Sequence, residues 1–215
     1  MLKVKRSTRN ASGGFALLEL LVAVVLFGLI AMLVLFSYFK VSEQLFMTTF
    51  AFETALSLRQ AQSYGVSVRQ FGSDRSATFE AAYGIHFDAA TRNRFIFFAD
   101  SDGNGTYTQG GDDSSGCIRG GSSECVSVYR IERSNQIEKF CAKRAVDGVD
   151  ECSTGTPTIL TFLDVIFRRP NPDAIFYTNQ SQFNTLYRAA TVHLTSPNNL
   201  ARTVQVWNTG QISIK

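Results

Sequence analysis

With 215 residues the chain has room for one ordinary domain and an anchor, or for two small domains, and its 45% hydrophobic content supports a sizeable core. A formal net charge of +3 is too small to argue for a nucleic-acid partner. Lys3, Lys5, Arg6 and Arg9 all precede Gly14 with no acid among them, so the positive charge belongs to the leader and the remainder is slightly acidic.

From Phe15 to Phe39 run 25 residues in which Glu19 is the only charge. At 1.5 Å per residue a helix of this length reaches about 37 Å, enough for a hydrocarbon core of about 30 Å. Basic residues before the run predict a cytoplasmic N-terminus and an exported C-terminal side, and Lys40 closes the run at the far interface. A secretory signal peptide has an apolar core of only about 7–15 residues, followed by a small-residue cleavage site. This run is longer, and no Ala-x-Ala follows it. A plain single-pass anchor fits the hydropathy but leaves Glu19 unexplained. A carboxylate in a spanning helix costs about 2.5–3.5 kcal/mol on insertion scales, so it calls for a partner.

The stretch SGGFALLELLVAVVLFGLIAML, starting at Ser12, resembles the N-termini of type IV prepilins and type II secretion pseudopilins. In that family a short basic leader ends in Gly, the next residue is usually Phe, and Glu is fifth after the cut. Gly14, Phe15 and Glu19 match those positions here. The resemblance implies cleavage between Gly14 and Phe15 by a prepilin peptidase and N-methylation of the new Phe15 amine. It also implies a filament in which the Glu19 carboxylate of one subunit faces the amine of a neighbour, each neutralising a charge that is expensive unpaired. Many major pilins carry a mid-helix proline. None occurs here before Pro157, and Gly28 alone weakens the run, which leans toward a minor pilin or pseudopilin.

After Lys40 the text becomes amphipathic. VSEQLFMTTFAFETALSLRQAQSYG sets Val41, Leu45, Phe52 and Leu56 at steps of 4, 7 and 4, with Phe46 and Ala55 alongside and Glu43, Glu53 and Arg59 opposite. Gly65 is the expected stop. One continuous helix over about 15–64 follows, half in a membrane and half packed on a head domain. Beyond it, alternating and β-branched stretches predict strands at 83–87, 94–99, 126–133, 136–142, 158–169, 174–178, 188–196, 203–207 and 211–215. Asn135 and the NTG at 208–210 look like hairpin turns. The expected class is α+β, a long N-terminal helix packed on an antiparallel β-sheet head of type IV pilin-like form. Its parts are a leader at 1–14, a membrane-spanning and polymerising half-helix at 15–39, an amphipathic half at 40–64, and an exported β-rich head at 65–215. Within the family the whole chain is most similar to the GspH/FimT-type minor pseudopilins.

Cys117, Cys125, Cys141 and Cys152 are separated by 7, 15 and 10 residues, which fits neither a CxxC pair nor a zinc-finger arrangement. Oxidised extracytoplasmic cysteines and free buried thiols both remain open. Of the three disulfide pairings, the local one, Cys117–Cys125 with Cys141–Cys152, needs the least chain reorganisation.

DSDGNGTYTQGGDD holds a candidate ligand site. Asp100, Asp102, Asn104 and Gly105 reproduce positions 1, 3, 5 and 6 of an EF-hand-like calcium loop, although position 12 is Gly111, with Asp112 and Asp113 next. Flanking helices are missing, and a polar loop rich in turn formers accounts for the same text. Catalysis finds little support: His86 and His193 are lone histidines in strand text, and no GxSxG, HExxH or phosphate-binding glycine loop occurs. The chain is therefore expected to be no enzyme and to require no cofactor, with calcium the one candidate. Arg168 and Arg169 in FRRPNPDA are candidates for a polyanion contact or for a solvated strand end. A C-terminal tail with only Arg202 and Lys215 argues against nucleic acid as a partner.

What the resemblance implies is a structural subunit of a type IV pilus or a type II secretion pseudopilus. It would start in the bacterial cytoplasmic (inner) membrane. Its partners would be prepilin peptidase, other pilin or pseudopilin subunits, the inner-membrane assembly platform and a secreted cargo. The competing readings are a DNA-binding minor pilin for uptake and an anchored exported binding domain that never polymerises.

Overall fold

A computed structural model describes residues 13–67, 69–71, 80–110, 116–117, 123–155, 160–180 and 186–215. The chain divides into two compact units, Met1–Gln44 and Leu45–Lys215. Helix α1 (Gly13–Val66) supplies the described part of the first and the opening element of the second. It begins and ends two residues beyond the expected 15–64.

In the first unit the helix is apolar all round. Leu18, Leu21, Val25, Phe27, Leu33 and Phe36 point in different directions and each is more than half exposed. A helix with no polar face and no core of its own belongs in a non-aqueous environment. This one is long and apolar enough to cross a membrane.

In the second unit the helix opens a head with ten strands among the described residues: β1 (Ala82–Asp88), β2 (Arg94–Asp100), β3 (Cys125–Arg130), β4 (Gln136–Arg144), β5 (Asp150–Cys152), β6 (Phe162–Phe167), β7 (Ala174–Thr178), β8 (Tyr187–Thr195), β9 (Ala201–Trp207) and β10 (Ile212–Ile214). They form two antiparallel sheets, ordered β3-β2-β1-β6-β7 and β10-β9-β8-β4-β5. One core joins both sheets to the helix. Tyr83, Ile85 and Phe87 of β1 and Leu163, Val165 and Phe167 of β6 meet Phe140 of β4 and Val192 and Leu194 of β8. Phe87 and Phe140 touch across the two sheets with ring centroids 6.5 Å apart.

The helix buries Met47, Phe50, Ala51, Ala55, Leu58 and Ala61, a stripe that returns every three or four residues with Phe50 and Ala51 side by side. Three alanines on that stripe let the backbone come close to the strands. Thr54 and Ser57, also buried, donate to the carbonyls of Phe50 and Glu53 one turn back. Of the face expected from sequence, Ala55 is buried and Glu53 and Arg59 are exposed as anticipated, but its large members point outward. Leu45 is 62% exposed, Phe52 54% and Leu56 59%. Side-chain size misled the expectation: close packing against a sheet selected the narrow stripe. Phe46 is half-buried, with the Arg133 guanidinium 3.4 Å from its ring centroid.

Gly65 is not a stop. The helix runs through it to Val66, and a Cβ there would strike the Phe167 carbonyl, so glycine serves close approach to β6. Tyr64 beside it meets Tyr83 and Phe97 edge-on, with centroids 5.5 Å apart.

Two strand expectations need correction. Asn135 does close a tight turn, donating to the Glu132 carbonyl across Arg133 and Ser134, both at φ 57°. Yet β3 and β4 do not pair. β3 runs beside β2 and β4 beside β8, so the turn carries the chain from one sheet to the other. The 158–169 expectation shrinks to β6, with 156–159 outside the described residues. The three-residue β5 is too short for any alternation to reveal. The NTG segment is a hairpin as expected, with the Gly210 N–H donating to the Trp207 carbonyl and β10 pairing with β9.

Candidate functional site

Alternation in the first sheet sends one set of side chains to the core and the other outward. Outward on β1, β2 and β6 stand Ala82, Ile96, Phe98 and Ile166, which make a second apolar cluster with Cys125, and the polar His86 and Asp164 follow the same alternation. The segment after β2 returns across this face. Tyr107 packs on His86 and Phe98, at centroid distances of 4.9 and 5.5 Å, and the Cys117–Cys125 disulfide ties the return to β3.

Three carboxylates anchor that segment. Glu124, 1% exposed, accepts through Oε1 from the Ser101 N–H (2.7 Å), the Ser101 hydroxyl (3.1 Å) and the Asp102 N–H (3.3 Å), and through Oε2 from the Thr108 N–H (2.9 Å). Asp100 Oδ2 accepts from the Gly105 N–H at 3.2 Å and the Arg168 guanidinium at 2.7 Å. Asp100 Oδ1 is buried and has no hydrogen-bond partner among the described residues. Asp102 is exposed and accepts from the Asn104 N–H and amide, while Asn104 Oδ1 accepts from the Thr106 N–H and hydroxyl. Gly105 sits at φ +80°, where a Cβ would also run into the Tyr177 ring. One oxygen each from Asp100, Asp102 and Glu124 falls within 4.8 Å of the others. Burial pushes the Asp100 and Glu124 carboxyls above the usual carboxylate range, against the pull of their N–H donors and, at Asp100, of Arg168.

His86 is not the lone histidine expected. Its Nδ1 lies 2.6 Å from Oδ1 of Asp164, the residue directly opposite it in the β1–β6 register. Asp164 is fully buried, and its Oδ2 accepts the Tyr107 N–H. The exposed edge of the imidazole faces a cleft of about 150 Å³ that Asp88, Thr91, Arg94 and Gln109 also line. The pair fixes the ring's orientation, and Thr91, which lines the same cleft, donates its hydroxyl to Asp88. His193 is half-buried on β8, and burial lowers its pKa, with Lys139 adding to the effect.

Of the other sequence candidates, Gly14, Phe15 and Glu19 all lie within α1, and Glu19 is exposed. Residues 1–12 and the expected ligands Asp112 and Asp113 lie outside the described residues. Arg168 is held by Asp100, and Arg169 beside it is half-buried. The four cysteines form the two local disulfides, Cys117–Cys125 and Cys141–Cys152. The second joins residues directly opposite on β4 and β5. Glu124 and Asp164 were not anticipated. They reach the site through strand pairing from 24 and 64 positions beyond Asp100, and no local spacing announces them. Compared with known protein families, curated proteins and solved structures, the chain matches none.

Proposed function

We propose that the chain is a structural subunit of a type IV pilus or type II secretion pseudopilus, acting by assembly and recognition and not by catalysis. The observation that carries this reading is the exposed apolar face of α1 at Leu45, Phe52 and Leu56. A soluble monomer gains nothing by presenting Phe and Leu in a row to water, whereas a helix that packs beside copies of itself requires such a row. The all-round apolar segment before it supports insertion in the bacterial inner membrane, with the basic leader cytoplasmic and the β head exported.

On this reading prepilin peptidase cuts after Gly14 and leaves an ammonium at Phe15. Glu19 then neutralises the amine of a neighbouring subunit, and the pair sets axial register more than it adds stability. The two disulfides agree with an oxidising compartment for the head. The DNA-uptake reading gains no support from Arg168, whose guanidinium is taken up by Asp100.

Mass spectrometry of the membrane fraction tests the proposal. A mature chain starting at methylated Phe15 is expected, and an intact N-terminus would sink it. Glu19→Ala is expected to be cleaved normally but to be missing from sheared filaments; normal incorporation would remove the pairing argument.

A further inference from the structure

Two turns of the head lie side by side near Phe46 of α1. The β1–β2 connection (89–93) and the β3–β4 connection (131–135) are joined through the backbone: the Ile131 N–H donates to the Asn93 carbonyl at 2.9 Å, and the Ile137 N–H to the Arg92 carbonyl at 2.8 Å. Together they gather Arg92, Arg94, Arg130 and Arg133, of which all but Arg94 are exposed. Arg94 and Arg130 stand directly opposite on one face of the sheet, where like charges repel. Within 88–94 and 130–135 the acids are Asp88 and Glu132, and Asp88 is engaged by the Ala90 N–H and the Thr91 hydroxyl. Arg133 and Ser134 both hold φ 57°, a conformation that Asn-Gly adopts at less cost. The turn so formed lays the Arg133 guanidinium on the Phe46 ring. Beside that contact runs a groove of about 260 Å³, apolar at Phe46, Phe50 and Ile131 and rimmed by Arg130, Arg133, Glu53 and Glu132.

We propose that this arginine-bearing end of the head docks on the anionic phospholipid headgroups of the bilayer that holds α1. Position favours lipid over any other polyanion. Six residues separate Phe46 from Lys40, a helical rise of about 9 Å, and the headgroup layer adds roughly 5–8 Å to each side of the hydrocarbon core. The first phosphates these turns meet are therefore those of the membrane. Arginine suits them, because its planar fork gives two parallel N–H donors to one phosphate. Phe46 and Ile131 supply the apolar surface against which the glycerol and upper acyl carbons of the same lipid can rest. The inference rests on α1 lying in a bilayer, as the proposed function has it, but on neither processing nor assembly.

The test uses the full chain, leader intact, reconstituted in phosphatidylcholine bilayers with tracer spin-labelled lipid. Labelled phosphatidylglycerol should be preferred at the protein over labelled phosphatidylcholine, and added salt should weaken the preference. In Arg92→Gln with Arg133→Gln the preference should fall by about fivefold, the worth of one basic residue near an anionic surface. Lysine at the same two positions should keep most of it, and Lys143→Gln, at the other end of β4, should behave as wild type. A readout that needs no variant is amide exchange at 89–94 and 130–135, which should be slower in bilayers containing phosphatidylglycerol than in phosphatidylcholine alone. Equal exchange in the two bilayers would overturn the inference, as would an unchanged preference in the double glutamine variant. Protection of the same amides by a single-stranded oligonucleotide, with none from phosphatidylglycerol, would also overturn it and make the surface one for nucleic acid. An uncut chain that never assembles still gives these readouts, so the inference and the pilin reading fail separately.

Discussion

Replacing Leu45, Phe52 and Leu56 together by glutamine separates assembly from folding. Fully burying a Leu or Phe side chain is worth about 1.5–3 kcal/mol. These three are 62%, 54% and 59% exposed, so a little over half of that remains to be gained when a neighbour covers them. Each then contributes about 1–1.5 kcal/mol to subunit association, or about 3–5 kcal/mol for the face. At 1.4 kcal/mol per tenfold, the triple variant should associate roughly 100- to 4,000-fold more weakly. Its own fold should hardly notice, because glutamine is a good helix former and exposed substitutions stay within about 0.5 kcal/mol each. Leu58→Ala, on the fully buried side of the same helix, makes the contrast: it should cost about 2–5 kcal/mol and leave no special mark on association beyond reduced abundance.

The assay is a pair of measurements on each variant, thermal melting in micelles and recovery in sheared filaments normalised to the membrane pool. The triple variant should melt like wild type and vanish from filaments. If it assembles normally with unchanged melting, the exposed face is not where subunits meet and the proposed function loses its main support. If it melts as low as Leu58→Ala, the orientation of the helix on the head is wrong.

Tyr187→Phe removes a hydroxyl that donates to Glu151 Oε2 at 2.6 Å and lies 3.1 Å from the Thr178 hydroxyl, leaving buried Glu151 with Arg144 at 3.4 Å. The expected cost is about 1–3 kcal/mol, read as a melting temperature lower by several degrees. Burial, reinforced by the bond to Glu151, raises the Tyr187 pKa to about 12. A folded-state value above the unfolded value of about 10 means its contribution is intact below pH 10 and lost between about 10 and 12. Wild type should therefore lose stability more steeply than Tyr187→Phe over that window, and parallel curves would refute the assignment. Replacing Cys141 and Cys152 by serine opens a link of sequence separation 11, for which chain entropy predicts about 3 kcal/mol. An unchanged melting temperature would show that strand pairing alone holds β5.

The parts of this protein that sequence exposes are those whose cause is local. An apolar run without proline makes a helix whatever surrounds it, and five residues such as AIFYT make β7 because branched and aromatic side chains fit a pleated surface. The acidic loop after β2 is half legible for the same reason: Asp100, Asp102 and Gly105 announce a turn of polar side chains, while Glu124 arrives beside β3 through strand pairing that no spacing encodes. Asp164 likewise becomes visible only when β1 and β6 lie side by side and put it opposite His86. The turn at Asn135 has hairpin chemistry yet joins two sheets, because a turn sets only the local reversal and the partners of β3 and β4 are chosen by long-range burial. The most informative misreading is the helix face. A rule that the largest apolar residues fill the core picks Leu45, Phe52 and Leu56, and it fails because the core was filled by Ala51, Ala55, Ala61 and the few larger residues between them. The rule assumes that the chain alone supplies every surface its side chains will meet. Where large apolar residues stand in register outside a complete core, that assumption is what breaks, and the missing surface has to be sought on another molecule.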